Sequence, residues 1–149
     1  PVRDAVAAVA TKLGRPLRLL LGKPGLDGHS NGAEQIAARA RDCGIEITYD
    51  GIRLTPQEIV SAATEKQPDV IGLSILSGSH LPLLRETLDL MREAGLTQPL
   101  VVGGIIPDED AKTLKAMGVA QVYTPKDFQL NRIMLDLVAL VDPAPVAAE

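Results

Sequence analysis

The residues of this chain best suited to chemistry lie together in Lys23-Pro24-Gly25-Leu26-Asp27-Gly28-His29-Ser30-Asn31-Gly32. Their spacing is K-x-x-x-D-x-H-x-x-G, between an apolar run at residues 17–21 and a helical pattern that begins near Ala33. A histidine in a glycine-rich strand-to-helix loop stands at the carboxyl end of a sheet, the edge where open α/β folds bind ligands. An aspartate two residues earlier is placed to accept one ring N–H, which fixes the tautomer and raises the basicity of the other nitrogen. The implied chemistry is ligation, with one imidazole nitrogen offered to a metal that something other than the protein holds. The sequence has no carboxylate cluster for magnesium and no Walker-type phosphate loop. Its single cysteine, Cys43, rules out both an internal disulfide and a CxxC zinc site, and reads as a small buried apolar residue.

The elements that must position this loop follow from hydrophobic periodicity. Strand-like runs fall at residues 17–21, 45–49, 69–74, 99–103 and 120–123. Helical patterns fall between and after them, at residues 33–43, 55–66, 79–94, 107–117 and 125–141. Ala33, Ile36, Ala37 and Ala40 keep the i, i+3, i+4, i+7 spacing of one helix face, Cys43 continues it, and Gly44 is a C-terminal stop. Thr55-Pro56-Gln57-Glu58 is a capping box with proline at the first helical position. Leu130, Ile133, Met134, Leu137, Val138 and Val141 mark the core face of the last helix. Residues 1–13 predict a short helix that ends at Gly14; residues 1–14 are expected as linker or short helix, 15–141 as the domain, and 142–149 as a frayed tail.

Strands that are apolar throughout and alternate with helices suit a parallel sheet covered on both faces. The expected fold is α/β: a doubly wound five-stranded parallel sheet, Rossmann-like and flavodoxin-like, in strand order 2-1-3-4-5. That order puts the switch point between the first and third strands, so the Asp27–His29 loop and Ser74 converge on one crevice. The other strand ends are small: Ser74, Ser77 and Gly78 after the third, and Gly103-Gly104 at the fourth. Absent side chains leave a slot that a planar group can approach. Tyr123 and Thr124 end the fifth strand, and His80 reads as a residue at a helix start.

Composition narrows the partners. A 46% hydrophobic, 23% charged chain of 149 residues forms a packed domain. Its net charge of −4 and 2% aromatic content argue against nucleic acid and anionic membranes. No apolar run approaches the ~20 residues that span a bilayer, and no signal peptide opens the chain, so a cytoplasmic location is expected. The first residue is not Met, which suits a processed chain or a piece of a longer one.

Asp27-x-His29-x-x-Gly32, Ser74-x-Leu76 and Gly103-Gly104, in this order at successive strand ends, resemble the cobalamin-binding domain of the adenosylcobalamin-dependent acyl-CoA mutases. The resemblance covers roughly residues 15–141. It implies that His29 replaces the cofactor's dimethylbenzimidazole as lower ligand of cobalt, with Asp27 on its other ring nitrogen and Lys23 on Asp27. It also implies a pocket for the displaced nucleotide tail along Ser74, Leu76, Gly103, Gly104, Tyr123 and Thr124. Gly25, Gly28, Ser30, Asn31, Gly32, Ser77 and Gly78 complete the cofactor-binding set. Within the family, the loop and strand-end segments resemble ethylmalonyl-CoA mutase most and methylmalonyl-CoA mutase next; the small subunits of isobutyryl- and 2-hydroxyisobutyryl-CoA mutases are also similar. The implied activity is a radical carbon-skeleton isomerisation. The implied partners are a substrate-binding TIM-barrel domain or subunit, a dimeric holoenzyme and a cofactor-loading chaperone, and the isolated chain is expected to be inactive. Two other readings use the same fold: a non-catalytic cobalamin carrier or sensor, and a response-regulator receiver. The receiver needs a phospho-accepting aspartate where this third strand ends in Ser74.

Overall fold

The computed structural model describes residues 2–24, 31–48, 53–75, 81–104, 106, 108–123 and 129–141. Its elements are α1 (Val2–Leu13), β1 (Arg18–Pro24), α2 (Asn31–Cys43), β2 (Glu46–Thr48), β3 (Arg53–Leu54), α3 (Pro56–Lys66), β4 (Val70–Ile75), α4 (Leu81–Glu93), β5 (Leu100–Gly104), α5 (Asp108–Met117), β6 (Gln121–Tyr123) and α6 (Leu130–Val141). All strand pairs are parallel, in the order β2-β1-β4-β5-β6. Counted without β3, this is the expected order 2-1-3-4-5. The two-residue β3 adds to the expectation, pairing with the end of β1 through Lys23–Arg53 and Pro24–Leu54.

Two core clusters fill the two faces of the sheet. Leu19, Val70, Val101 and Tyr123 pack with α1, α2 and α6, while Leu20, Ile71, Leu73, Val102 and Val122 pack with α3, α4 and α5. The period-2 alternation of each strand thus feeds both layers, which is why the strands read as unbroken apolar runs. α1 belongs to the packed unit: Val2, Val6 and Val9 are buried in the same cluster as Ile133, Met134, Leu137 and Val138 of α6. Among the described residues no helix is long and apolar enough to cross a membrane.

Local rules set the helix ends. The Thr55 side chain accepts from the Glu58 N–H at 3.1 Å, and the Glu58 carboxylate accepts from the Thr55 N–H at 3.0 Å, completing the expected capping box. Gly14 and Gly44 stop α1 and α2 at φ of +75° and +96°, a region that costs glycine nothing. α6 is described from Leu130, with Gln129 outside the helix and its carbonyl accepting the Ile133 N–H at 3.0 Å; the expected start at residue 125 lies outside the described residues.

The amino edge of the sheet is tied by one acid. The Asp69 carboxylate accepts two hydrogen bonds from the Arg15 guanidinium, both at 2.8 Å, and a third from the Arg18 backbone N–H at 2.8 Å. The Asp69 N–H donates back to the Arg18 carbonyl at 2.9 Å. This fork locks the turn before β1 onto the start of β4. Burial pushes the Asp69 carboxyl up, but the Arg15 and Arg18 hydrogen bonds and charges outweigh it and hold the group below its ordinary value. The folded pKa is depressed, so the carboxylate stabilises the fold fully above the unfolded value of about 3.9, and the stabilisation disappears as pH falls through the lower folded value. Asp69→Asn is expected to lose about 2 kcal/mol at neutral pH. Urea unfolding of both proteins should show the gap constant above about pH 5 and closing below about pH 4.

Candidate functional site

The sheet register brings the predicted strand-end residues into one row. Gly22 of β1 pairs with Leu73 of β4, so the next residues on the two strands are Lys23 and Ser74. Ser74 pairs with Gly103 of β5, and Gly103 pairs with Tyr123 of β6. Positions 23, 74, 103 and 123 therefore form a single line across the carboxyl edge. By pleat alternation all four belong to the face that α1, α2 and α6 cover, the face of Leu19, Val101 and Tyr123. Gly104 pairs with Ile75 one step further out. Asn31 and Gly32 open α2. Gly25, Asp27, Gly28, His29, Ser30, Leu76, Ser77, Gly78, His80 and Thr124 lie outside the described residues.

The two strand glycines on this face do different work. A Cβ placed on Gly72 would lie 3.1 Å from a Leu21 methyl, 3.5 Å from Val101 and 3.7 Å from Leu19, so that glycine makes room for the core. A Cβ on Gly103 would meet, among the described residues, only the Cβ and carbonyl oxygen of Tyr123, both at 3.8 Å. Among the described residues, Gly103 thus has room beside it, as a close-approach glycine requires for a flat or narrow group laid along the row.

Tyr123 is a wall of that space, and its hydroxyl is already committed. The phenol O–H donates to Oδ2 of Asp136 on α6 at 2.8 Å, and Arg132 approaches the other carboxylate oxygen at 3.3 Å. Burial, then the Asp136 hydrogen bond and charge, push the phenol's pKa well up against the opposing charge of Arg132, so the hydroxyl remains a donor. A ligand at this edge can meet the ring or backbone of Tyr123, while the hydroxyl stays with α6. Sequence reasoning did not identify Asp136. Its signal was the single acid in the apolar Leu130–Val141 helix.

A second concavity, of about 370 Å³, lies between α4 and α5 and is lined by Arg85, Leu88, Arg92, Thr113 and Met117. None of these residues comes from the carboxyl edge, and Arg92 already donates to the Met117 carbonyl at 3.1 Å. That concavity is separate from the site.

Residues 17–127 match the B12 binding domain family. The chain belongs to that family. The B12-binding fold is also the one it shares with a cobalamin-binding protein from Desulfitobacterium hafniense, at a TM-score of 0.74 and 21% identity over 94% of this chain and 67% of that one. Ethylmalonyl-CoA mutase of Cereibacter sphaeroides is 69% identical over 149 residues, all of this chain and 23% of that protein. The 2-hydroxyisobutanoyl-CoA mutase small subunit of Aquincola tertiaricarbonis is 41% identical over 108 residues, 72% of this chain and 79% of that subunit. The chain thus spans about a quarter of the length of the mutase to which it is so similar. The family match selects the B12-binding reading of the fold over the receiver reading.

The contrast between the glycines gives a stability test. Gly72→Ala is expected to destabilise the chain by about 1–2 kcal/mol through overpacking against Leu21. Gly103→Ala should stay within about 0.5 kcal/mol of wild type, because among the described residues its methyl meets only ordinary contacts at 3.8 Å. Urea denaturation of the two variants measures both.

Proposed function

We propose that this B12-binding chain holds adenosylcobalamin with the His29 imidazole as lower axial ligand of cobalt, and that it is the cofactor-binding part of an acyl-CoA mutase of the ethylmalonyl-CoA type. The observation that carries the proposal is 69% identity to an ethylmalonyl-CoA mutase across the whole chain. When bound, adenosylcobalamin supplies the radical chemistry of a carbon-skeleton rearrangement.

The chain's own residues bind and orient. His29 offers one neutral ring nitrogen, a good donor to cobalt, and Asp27 accepts the other ring N–H and so fixes which nitrogen is free. Lys23 supports Asp27. Gly25, Gly28, Ser30, Asn31 and Gly32 keep the loop and the start of α2 narrow around the ligand. Ser74 and Gly103, neighbours in the register, line the slot for the nucleotide tail with Gly104 and Tyr123, and Leu76, Ser77, Gly78 and Thr124 extend it. A ligand laid on the carboxyl edge keeps its upper face open. A substrate-binding barrel, in the same polypeptide or on a partner subunit, closes that face and holds the acyl-CoA. The isolated chain is then a binding module without turnover.

A second arrangement, in which the chain is a separate small subunit, is favoured by its 41% identity over most of the 2-hydroxyisobutanoyl-CoA mutase small subunit. The higher identity to ethylmalonyl-CoA mutase places it second.

The test is spectroscopic. Adenosylcobalamin added to the purified chain should give a base-off visible spectrum. After reduction to Co(II), ¹⁵N-labelled histidine should show nitrogen coupling in the paramagnetic resonance spectrum, and His29→Ala should abolish it. Asp27→Ala should retain the coupling and weaken binding about 10–100-fold. Binding without histidine coupling, or coupling that survives His29→Ala, overturns the assignment of the ligand.

A further inference from the structure

Asp136 sits between Leu135 and Leu137 on a helix whose Ile133, Met134, Leu137 and Val138 are buried, and it is the only acid in that helix. Its half-buried carboxylate takes two partners: the hydroxyl of buried Tyr123 donates to one oxygen at 2.8 Å, and the Arg132 guanidinium approaches the other at 3.3 Å.

Tyr123 occupies the end of an edge strand, directly across from Gly103 and on the same sheet face. An aromatic ring beside a cross-strand glycine gains contact by folding over it, since the glycine has no side chain to keep it away. This ring does not do so. Among the described residues, the nearest atoms to a Cβ built on Gly103 are the Tyr123 Cβ and carbonyl oxygen, both at 3.8 Å, and neither belongs to the ring. The ring is drawn instead toward α6, where its hydroxyl meets a carboxylate. A hydrogen bond to an ionised acceptor is stronger than a neutral one, and stronger again in a buried setting. Without that acceptor the hydroxyl loses the bond that draws it toward α6, and the ring is free to turn toward Gly103.

We propose that Asp136 is a positioning residue: it holds the Tyr123 ring against α6 and so keeps the space over Gly103 open for the nucleotide tail of cobalamin. The proposal rests on the reading above that this space receives the tail. Asp136 itself touches no cofactor. It acts through one aromatic side chain, which becomes an internal plug if released.

The experiment compares two cofactors. Adenosylcobalamin carries the nucleotide tail, whereas adenosylcobinamide has the same corrin and upper ligand without it. Both are titrated by visible absorbance into wild type, Asp136→Leu, Asp136→Asn and Tyr123→Phe. Asp136→Leu is expected to weaken adenosylcobalamin about tenfold and to leave adenosylcobinamide within about twofold. Tyr123→Phe, whose ring has lost its tether, should behave alike. Asp136→Asn should recover most of the affinity, because its amide oxygen still accepts the phenol proton. A readout free of any ligand accompanies this: the Gly103 Hα resonances should move upfield in Asp136→Leu as the ring crosses them, and return in Asp136→Asn. If Asp136→Leu does not fold, the Tyr123→Phe and Asp136→Asn pair decides. Equal losses for both cofactors, or no loss for either, overturn the positioning role while cobalamin binding by wild type stands. Failure of wild type to bind adenosylcobalamin overturns the underlying reading, and the positioning role with it.

Discussion

The parallel pairing of β1 with β4 constrains everything else in this chain. Both strands run the same way, so the chain between them must cross back over the sheet. On the way it lays β2 on the far side of β1. α2 then covers one face and α3 the other. α2, which follows β1, and α4, which follows β4, lie on opposite faces, the topology that sets a switch point at the carboxyl ends of the two strands. The register then decides what stands there. Fixing Gly22 against Leu73 and Ser74 against Gly103 puts position 23 beside position 74 and carries the row on to Tyr123. A slip of one residue would move that row to the opposite face, against α3, α4 and α5.

The two edges of the sheet divide the work. The amino edge is closed by a bidentate ion pair and two backbone bonds around Asp69, with the charged groups partly buried and fully partnered. Such a clamp makes an edge rigid and leaves nothing free to bind. The carboxyl edge carries small residues, and the Tyr123 hydroxyl there is tied to Asp136 of α6. Stability concentrated at one edge allows the other to carry small residues next to a packed core. That is the arrangement a pre-formed cofactor site requires.

What was legible in the sequence was what local chemistry writes down. The capping box at Thr55 and Glu58, the stops at Gly14 and Gly44, and the alternation of apolar runs each need only neighbouring residues to be read. Strand order followed from the parallel character of those runs, and it placed the candidate residues on one edge. Two features were not legible, each because it joins residues apart in the sequence. β3 exists because two residues find the end of β1, a pairing that Arg53 and Leu54 do not announce. The bond from Tyr123 to Asp136 spans a strand, a connection and half a helix, and neither residue predicts the other until the fold brings them to 2.8 Å. In the site itself, residue type and spacing pointed to the histidine loop, which lies outside the described residues. The equivalence of Ser74, Gly103 and Tyr123 emerged only with the register.

The family match covers residues 17–127, yet the physical unit is larger than the matched region. α1, at Val2–Leu13, and α6, at Leu130–Val141, both fall outside those limits, and they pack against each other in the cluster that also contains Leu19, Val70, Val101 and Tyr123. Val6 and Val9 are 2% and 0% exposed, and Met134 and Leu137 are 0% and 1% exposed. Removing α1 would leave a strip of α6 facing water, at a cost of about 1.5–3 kcal/mol for each large apolar side chain uncovered. α6 is also the helix that anchors Tyr123. The packing of α1 therefore reaches the carboxyl edge through one continuous set of contacts: α1 braces α6, α6 carries Asp136, and Asp136 holds the ring beside Gly103. A helix that carries no residue of the candidate site thus braces the helix to which Tyr123 is tied.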